Sequence, residues 1–103
     1  MTNNETIYMV VVKPDSNIFK DFKIWITNEH IYDMLCHEGF LSASIFNYNN
    51  DCICIKYRLL NQDHLKYYIN SDSHKMRKKT DKKFLNKYSA KRFIVNHHGL
   101  INL

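Results

Sequence analysis

The alternation of apolar and polar residues divides the chain into strands and helices in a simple order. Residues 6–13 (TIYMVVVK) are a run of β-branched and aromatic residues that ends at Pro14. This run predicts a strand that is apolar on both sides, with Tyr8 facing one way and Met9 the other. Because a strand covered on both faces is usually central in its sheet, we expect this strand to lie in the middle.

A helical pattern follows the first strand and changes its face part-way along. The apolar residues up to Ile26 fall on one stripe of a helical wheel, whereas those from Ile31 onward fall on the opposite side. One straight helix cannot bury both sets against the same sheet. We therefore predict a break or kink near residues 28–30, followed by a second short helix to about His37, with Gly39 as its stop.

The rest of the chain predicts a hairpin, a further helical region and a last strand. Residues 40–48 and 52–59 have strand patterns and flank an Asn-Asn-Asp turn. Apolar residues at helical spacing follow over residues 65–69, and a basic segment comes after them. Residues 88–95 predict the last strand, and residues 96–103 are interpreted as a tail.

This order of elements, β-α-β-β-α-β, is that of the ferredoxin-like split βαβ unit. It predicts a single α+β domain over residues 1–103, with its core at about residues 6–95. The sheet is expected to be four-stranded and antiparallel, with both helices on one face. The other face then carries more apolar side chains than a solvent-exposed surface normally does. We therefore expect a homodimer that buries this face, as in a dimeric α/β barrel.

Charge and cysteine content bear on the possible partners and the cellular compartment of the protein more than on its function. The formal net charge of +5 permits nucleic acid or an anionic membrane as a partner. The three cysteines are an odd number, and the N-terminus lacks a signal-peptide pattern. These features favour free thiols in the cytoplasm. No apolar stretch approaches the about 20 residues that span a bilayer, so no membrane partner is expected.

A series of short motifs is similar, in order and spacing, to a known family. In chain order they are Trp25, His30-Ile31, Leu35, Gly39-Phe40, Tyr57, Tyr68-Ile69, Arg77 and Tyr88-x-Ala90-x-Arg92. On these residues the chain resembles the bacterial domain-of-unknown-function family 4286, within the dimeric α/β-barrel superfamily. The resemblance implies the ferredoxin-like fold and a barrel made from the sheets of two subunits, and it implies no activity. The family tends to have proline after His-Ile, where this chain has Tyr32.

His30 is the first candidate for chemistry. It lies at the predicted break, where its side chain can point beneath the helix, and a histidine with a pKa near about 6.5 suits proton transfer at neutral pH. The superfamily that the chain resembles includes small enzymes that work without metal or cofactor, with a histidine or other polar group in a cleft between helices and sheet. The alternative is structural: His30 then hydrogen-bonds a backbone carbonyl that the break has freed.

Aromatic residues with polar tips predict a cleft for a small molecule, because small-molecule sites combine apolar walls with a few polar groups. The predicted ligand-binding residues are Tyr8, Trp25, His30, Tyr57, Tyr68 and Arg92. The alternative is that the aromatic residues belong to the core and have satisfied polar atoms.

Two arginines allow two interpretations. Arg77 and Arg92 can hold an anionic ligand, and Arg92 lies on a predicted strand, where a partly buried arginine needs an acidic or carbonyl partner. The plainer interpretation is that they form ion pairs with Glu29 or Asp33.

No metal or cofactor is predicted. Cys52 and Cys54 place two thiols on one side of a strand, but no second pair of ligands follows at the spacing of a zinc site. The chain has two glycines, Gly39 and Gly99, which cannot form a glycine-rich phosphate loop.

Three functions are consistent with these patterns. The first is a small homodimeric domain that binds a small molecule in an aromatic-lined cleft between helices and sheet. The second is a cofactor-independent enzyme, monooxygenase-like or isomerase-like, with His30 as acid or base. The third is a weak, non-specific nucleic-acid binder through Lys75–Lys83, which requires the lysines to form one continuous face. A solvated helix face explains the same lysines, and nucleic acid is the least favoured partner.

Overall fold

The computed structural model describes residues 5–96 and 99–103. The strands in this part of the chain are β1 (Thr6–Pro14), β2 (Phe40–Asn47), β3 (Ile53–Leu59), β4 (Tyr88–Asn96) and β5 (Gly99–Asn102). The helical elements are a 3-10 turn (Ser16–Ile18), α1 (Phe19–Trp25), a π-helical segment (Ile26–His30), α2 (Ile31–Leu35), α3 (Gln62–Ser71) and α4 (Ser73–Phe84). Over these described residues, no helix is long and apolar enough to cross a membrane.

The strands form one antiparallel sheet in the order β2-β3-β1-β4-β5. β1 and β3 are internal strands, as the two-sided apolar pattern of β1 predicts. The prediction of four strands is wrong, because the described sheet has five. The residues interpreted as a tail include β5, which pairs with β4 through Ile94↔Ile101 and Val95↔Leu100. A strand of four residues is too short to show a period, and residues 97 and 98 lie outside the described residues.

The two faces of the sheet are packed differently. Tyr8 and Val12 of β1 are buried beneath the helices and belong to the hydrophobic core. The alternate residues of the same strand, Ile7, Met9 and Val11, lie on the opposite face and are half-buried. The strand is therefore apolar on both sides, and the helices cover one of them.

The predicted break in the first helical region is a π-helical segment without interruption of the helix. The backbone N–H of Ile31 donates to the carbonyl of Ile26, which is the i→i−5 bond of a π-turn. A π-turn holds an additional residue, so it moves the following residues by roughly the 100° that one residue occupies on an α-helical wheel. Trp25, Ile26 and Met34 are consequently all buried, although they belong to different stripes in sequence.

Gly39 lies in the turn between α2 and β2, where a side chain would not fit. Its φ is +86°, a conformation that glycine adopts readily. A Cβ at this position would lie 2.3 Å from Cγ of His64 on α3. The glycine therefore lets α3 approach the end of the first helical region.

Candidate ligand-binding site

The predicted ligand-binding residues all line one cavity between the helices and the sheet. The cavity has a volume of about 50 Å³, which is room for a few water molecules. The six predicted residues in its wall are Tyr8, Trp25, His30, Tyr57, Tyr68 and Arg92. The structure thus brings the whole set together, and their binding of a ligand stays a prediction.

The floor of the cavity comes from the three central strands. Tyr8 of β1 is paired with Tyr57 of β3, and Val10 of β1 is paired with Arg92 of β4. Directly paired residues in an antiparallel sheet point to the same face. The two tyrosines and the arginine therefore share the face that the helices cover, and the rings of Tyr8 and Tyr57 lie 6.0 Å apart.

The roof of the cavity depends on the π-helical segment. Trp25 lies just before the segment and His30 is its last residue, and their rings stack with centroids 4.8 Å apart and an interplanar angle of 28°. The extra residue of the π-turn turns His30 toward the cavity. π-segments within α-helices are found frequently at functional sites.

Two buried polar atoms at the cavity lack a hydrogen-bond partner among the described residues. They are Nδ1 of His30 and the hydroxyl oxygen of Tyr57. A buried polar group without a partner costs about 1–3 kcal/mol. Neighbouring tyrosines differ, since the hydroxyl of Tyr68 donates to Sδ of Met34 at 3.3 Å and that of Tyr88 donates to Asp81.

Burial fixes the protonation states in the cavity. Desolvation lowers the pKa of His30 to about 4, although the charge of Asp33 opposes this shift. The imidazole is therefore neutral at neutral pH and does not have the unshifted pKa expected from the sequence. Burial also raises the pKa of Tyr57 and of Tyr68 above the ordinary value, so both remain protonated phenols.

The two arginines are not held by the acidic residues considered from the sequence. Within residues 5–96 and 99–103, Arg77 and Arg92 form no ion pair, and Asp33 pairs with Lys79 at 2.6 Å. The prediction of an ion pair with Glu29 or Asp33 is therefore wrong. Both guanidinium groups instead lie beside the Tyr8 phenol. Burial raises the pKa of Tyr8, and the two arginines oppose this shift by their charge and by hydrogen bonding.

Several cavity-lining residues are absent from the set predicted from the sequence. Met34, Met76 and Tyr88 also line the cavity. Tyr88 could have been included, because it alternates with Ala90 and Arg92 along one strand and so must share their face. The methionines carry no comparable signal, since helical spacing indicates burial without indicating a cavity.

The lysines of α4 satisfy the geometric condition for an electrostatic surface. Lys75, Lys78, Lys79, Lys82 and Lys83 follow the i, i+3, i+4, i+7, i+8 spacing of one helix face. The buried residues of the helix, such as Met76 and Thr80, lie on the other side. Nucleic-acid binding stays a prediction. In the described part of the chain, no group of three metal-ligating side chains could hold a metal ion.

Comparison with solved structures shows the fold of the chain. It is similar to MupZ from Pseudomonas fluorescens, with a TM-score of 0.70 and 10% identity over 93% of this chain and 70% of that one. It is also similar to a putative antibiotic biosynthesis monooxygenase from Bacteriodes thetaiotaomicron VPI-5482, with a TM-score of 0.57 and 14% identity over 97% of this chain and 88% of that one. No curated protein gave a match.

The sequence comparison is consistent with the motifs that run along the chain. The pattern of the family described as "Domain of unknown function (DUF4286)" matches residues 5–98. The match therefore includes the π-helical segment, the strands that form the cavity floor and both arginines. The chain belongs to the DUF4286 family.

Proposed function

We propose that this protein binds a small organic molecule in the cavity between its helices and its sheet. The observation that carries the proposal is the pair of unpartnered polar atoms, Nδ1 of His30 and the hydroxyl of Tyr57, which belong to two residues that line one cavity. Buried polar groups are otherwise hydrogen-bonded, and a ligand that bonds both atoms would remove their cost. The cavity of about 50 Å³ is smaller than an occupied ligand site, so binding requires side chains in its wall to move.

We propose further that the protein is a homodimer in the cytoplasm. The open face of β1 presents Ile7, Met9 and Val11, which are half-buried in a single chain. A second copy that packs its own open face against these residues would remove them from water, and a two-fold interface of this kind is self-complementary. The three free cysteines agree with a reducing compartment.

Native mass spectrometry of the purified protein tests both parts. Gentle conditions should show a dimer that carries additional mass, and dissociating conditions should release that mass. Ala90→Leu places a larger side chain in the cavity wall and should abolish the added mass. Ala43→Leu is the matched control, since Ala43 packs against the core from β2 outside the cavity lining. Equal added mass in both variants would contradict binding in the cavity, and a monomer would contradict the dimer.

A second candidate function is cofactor-independent catalysis with His30 as the acid or base. It is favoured because His30 lines the cavity and its buried Nδ1 has no hydrogen-bond partner among residues 5–96 and 99–103. With a pKa of about 4, His30 is neutral and can accept a proton, whereas little imidazolium is available to donate one. Of the expected reaction types, an isomerisation that begins with proton abstraction is the one this imidazole serves directly.

The enzyme function is tested with the molecule released from the purified protein. His30→Gln keeps a polar side chain but cannot take up a proton. If His30 is the base, this variant should still bind the molecule and should lose its conversion, which is followed by exchange of the abstracted hydrogen for deuterium from the solvent. Exchange at the wild-type rate in the variant would rule out His30 as the base.

A further inference from the structure

A second, larger pocket, the outer pocket, shares part of its wall with the cavity. It has a volume of about 390 Å³, against about 50 Å³ for the cavity. Arg77, Ala90 and Arg92 line both spaces. The two arginines therefore lie where the cavity meets the outer pocket.

The charged side chains that line this junction are all positive. Arg77, Arg92 and Lys91 line the outer pocket, and the described lining of either space contains no aspartate or glutamate. An arginine has five N–H donors in a planar fork, and the Tyr8 phenol beside these two can use few of them. Two guanidinium groups without a carboxylate partner form a site that suits an anion.

The two ends of the cavity differ in chemistry. Arg77 and Arg92 line both the cavity and the outer pocket, whereas His30 and Tyr57, which have the unpartnered polar atoms, line only the cavity. Between them the wall is apolar and aromatic, with Trp25 and Phe22 on one side and Val10 and Ile55 on the other. A complementary molecule is charged at one end, flat and apolar in the middle, and weakly polar at the far end.

We propose that the cavity binds an aromatic or similarly flat carboxylate, with its acid group between Arg77 and Arg92 and a hydroxyl or carbonyl oxygen toward His30 and Tyr57. This inference rests on the proposed function and adds the chemical class of the ligand. Arg92 is half-buried on β4 and provides the fixed half of the acid site. Arg77 is exposed on α4, so it can swing out to admit the ligand and close behind it.

The test compares two probes of the same size that differ in charge, 4-hydroxybenzoate and 4-hydroxybenzamide. Affinity is measured by isothermal titration calorimetry on the full chain. Quenching of Trp25, the only tryptophan, reports whether the probe lies in the cavity. Hydrogen bonds to charged groups predict that the benzoate binds roughly tenfold to hundredfold more tightly than the benzamide.

Arginine variants localise this preference. Arg77→Gln and Arg92→Gln should each lower benzoate affinity about tenfold or more and leave benzamide affinity nearly unchanged. Arg92→Lys keeps the charge without the planar fork, so it should lose less benzoate affinity than Arg92→Gln does. Arg58→Gln is the matched control, because Arg58 lies on the open face of the sheet and pairs with Glu5. It removes one positive charge and should bind both probes as the wild type does.

The outcomes separate the ligand class from binding itself. Equal affinity for the two probes, or an equal loss in Arg58→Gln, would overturn the anion site while leaving a ligand in the cavity. Failure of both probes to bind at millimolar concentration would overturn the inferred class. The added mass in native mass spectrometry and its loss in Ala90→Leu would then decide whether the cavity takes another kind of molecule.

Discussion

The two faces of the sheet differ in which interactions are incomplete. On one face polar atoms lack hydrogen-bond partners, and on the other face apolar side chains are only partly buried. On the covered face the apolar side chains are buried, and two polar atoms, of His30 and Tyr57, have no partner within the described residues. On the open face a charged group has partners, since Arg58 pairs with Glu5 at 3.1 Å and with Ser42 at 3.2 Å. What is incomplete there is the burial of apolar residues such as Met9.

This difference indicates what each face is suited to bind. A buried polar atom without a partner is satisfied by a small molecule that brings a donor or acceptor. Half-exposed apolar side chains on a sheet face can instead be buried by a second protein surface. The contrast therefore separates the proposed ligand site from the proposed dimer interface, and the following variants test it from the largest effect to the smallest.

Removal of an aromatic ring should cost far more on the covered face than on the open face. Phe22 is 2% exposed and packs its ring 4.6 Å from that of Phe84. We expect Phe22→Ala to lower the free energy of unfolding by about 3–5 kcal/mol. Phe46→Ala, at a position 41% exposed on β2, should cost less than about 1 kcal/mol. Urea denaturation at low protein concentration measures both, and similar losses would contradict the contrast.

The buried histidine should make the fold sensitive to acid. The pKa of His30 is lowered to about 4 in the folded protein and returns to about 6.5 on unfolding. Between these values the unfolded chain takes up a proton that the folded protein does not, so stability falls as the pH falls through this window. The loss reaches roughly 3 kcal/mol below about pH 4.

Denaturation of a pair of histidine variants isolates this effect. His30→Gln should flatten the pH dependence of the free energy of unfolding between about pH 6.5 and about pH 4. His74→Gln replaces an exposed histidine of α4 and should retain the wild-type dependence. A wild-type slope in His30→Gln would show that this imidazole is not the group responsible.

A charge on the open face should break the proposed dimer without unfolding the subunit. Val11→Asp places a carboxylate in the middle of that face, and burial of an unpaired charge between two subunits is costly. We expect the dimer dissociation constant to rise by about a hundredfold, or roughly 2.7 kcal/mol. Ile24→Asp is the control, at a position 48% exposed on α1. Analytical ultracentrifugation measures both, and an unchanged dimer in Val11→Asp would place the interface elsewhere.

Two tyrosine variants should change stability in opposite directions. Tyr57→Phe removes a buried hydroxyl without a described partner, so the empty protein should become about 1 kcal/mol more stable. Tyr68→Phe removes a hydroxyl that donates to Sδ of Met34 and should become slightly less stable. Thermal denaturation without added ligand compares them. A loss of stability in Tyr57→Phe would mean that its hydroxyl is already satisfied in the empty protein.

Local features of the sequence predicted the parts of the fold that depend on local rules. The two-sided apolar run of β1 follows from the alternation of side chains along a strand, and its internal position in the sheet agrees. The shift between the stripes of Ile26 and Ile31 marked the place of the helical irregularity, because the period of a helix is fixed. It did not distinguish a break from a π-turn, since both change the phase and the backbone hydrogen bonds decide between them.

The sequence by itself determined strands β1 to β4, the helical regions and the residues with suitable chemistry, because periodicity and side-chain type are properties of neighbouring positions. The tertiary structure alone decided that β5 pairs with β4, that Arg92 has Tyr8 rather than Asp33 beside it, and that His30 is neutral. These features depend on contacts between residues far apart in the chain and on the loss of water around them. Burial sets both the pKa of a side chain and the cost of leaving it without a partner, and burial is known only once the chain has folded.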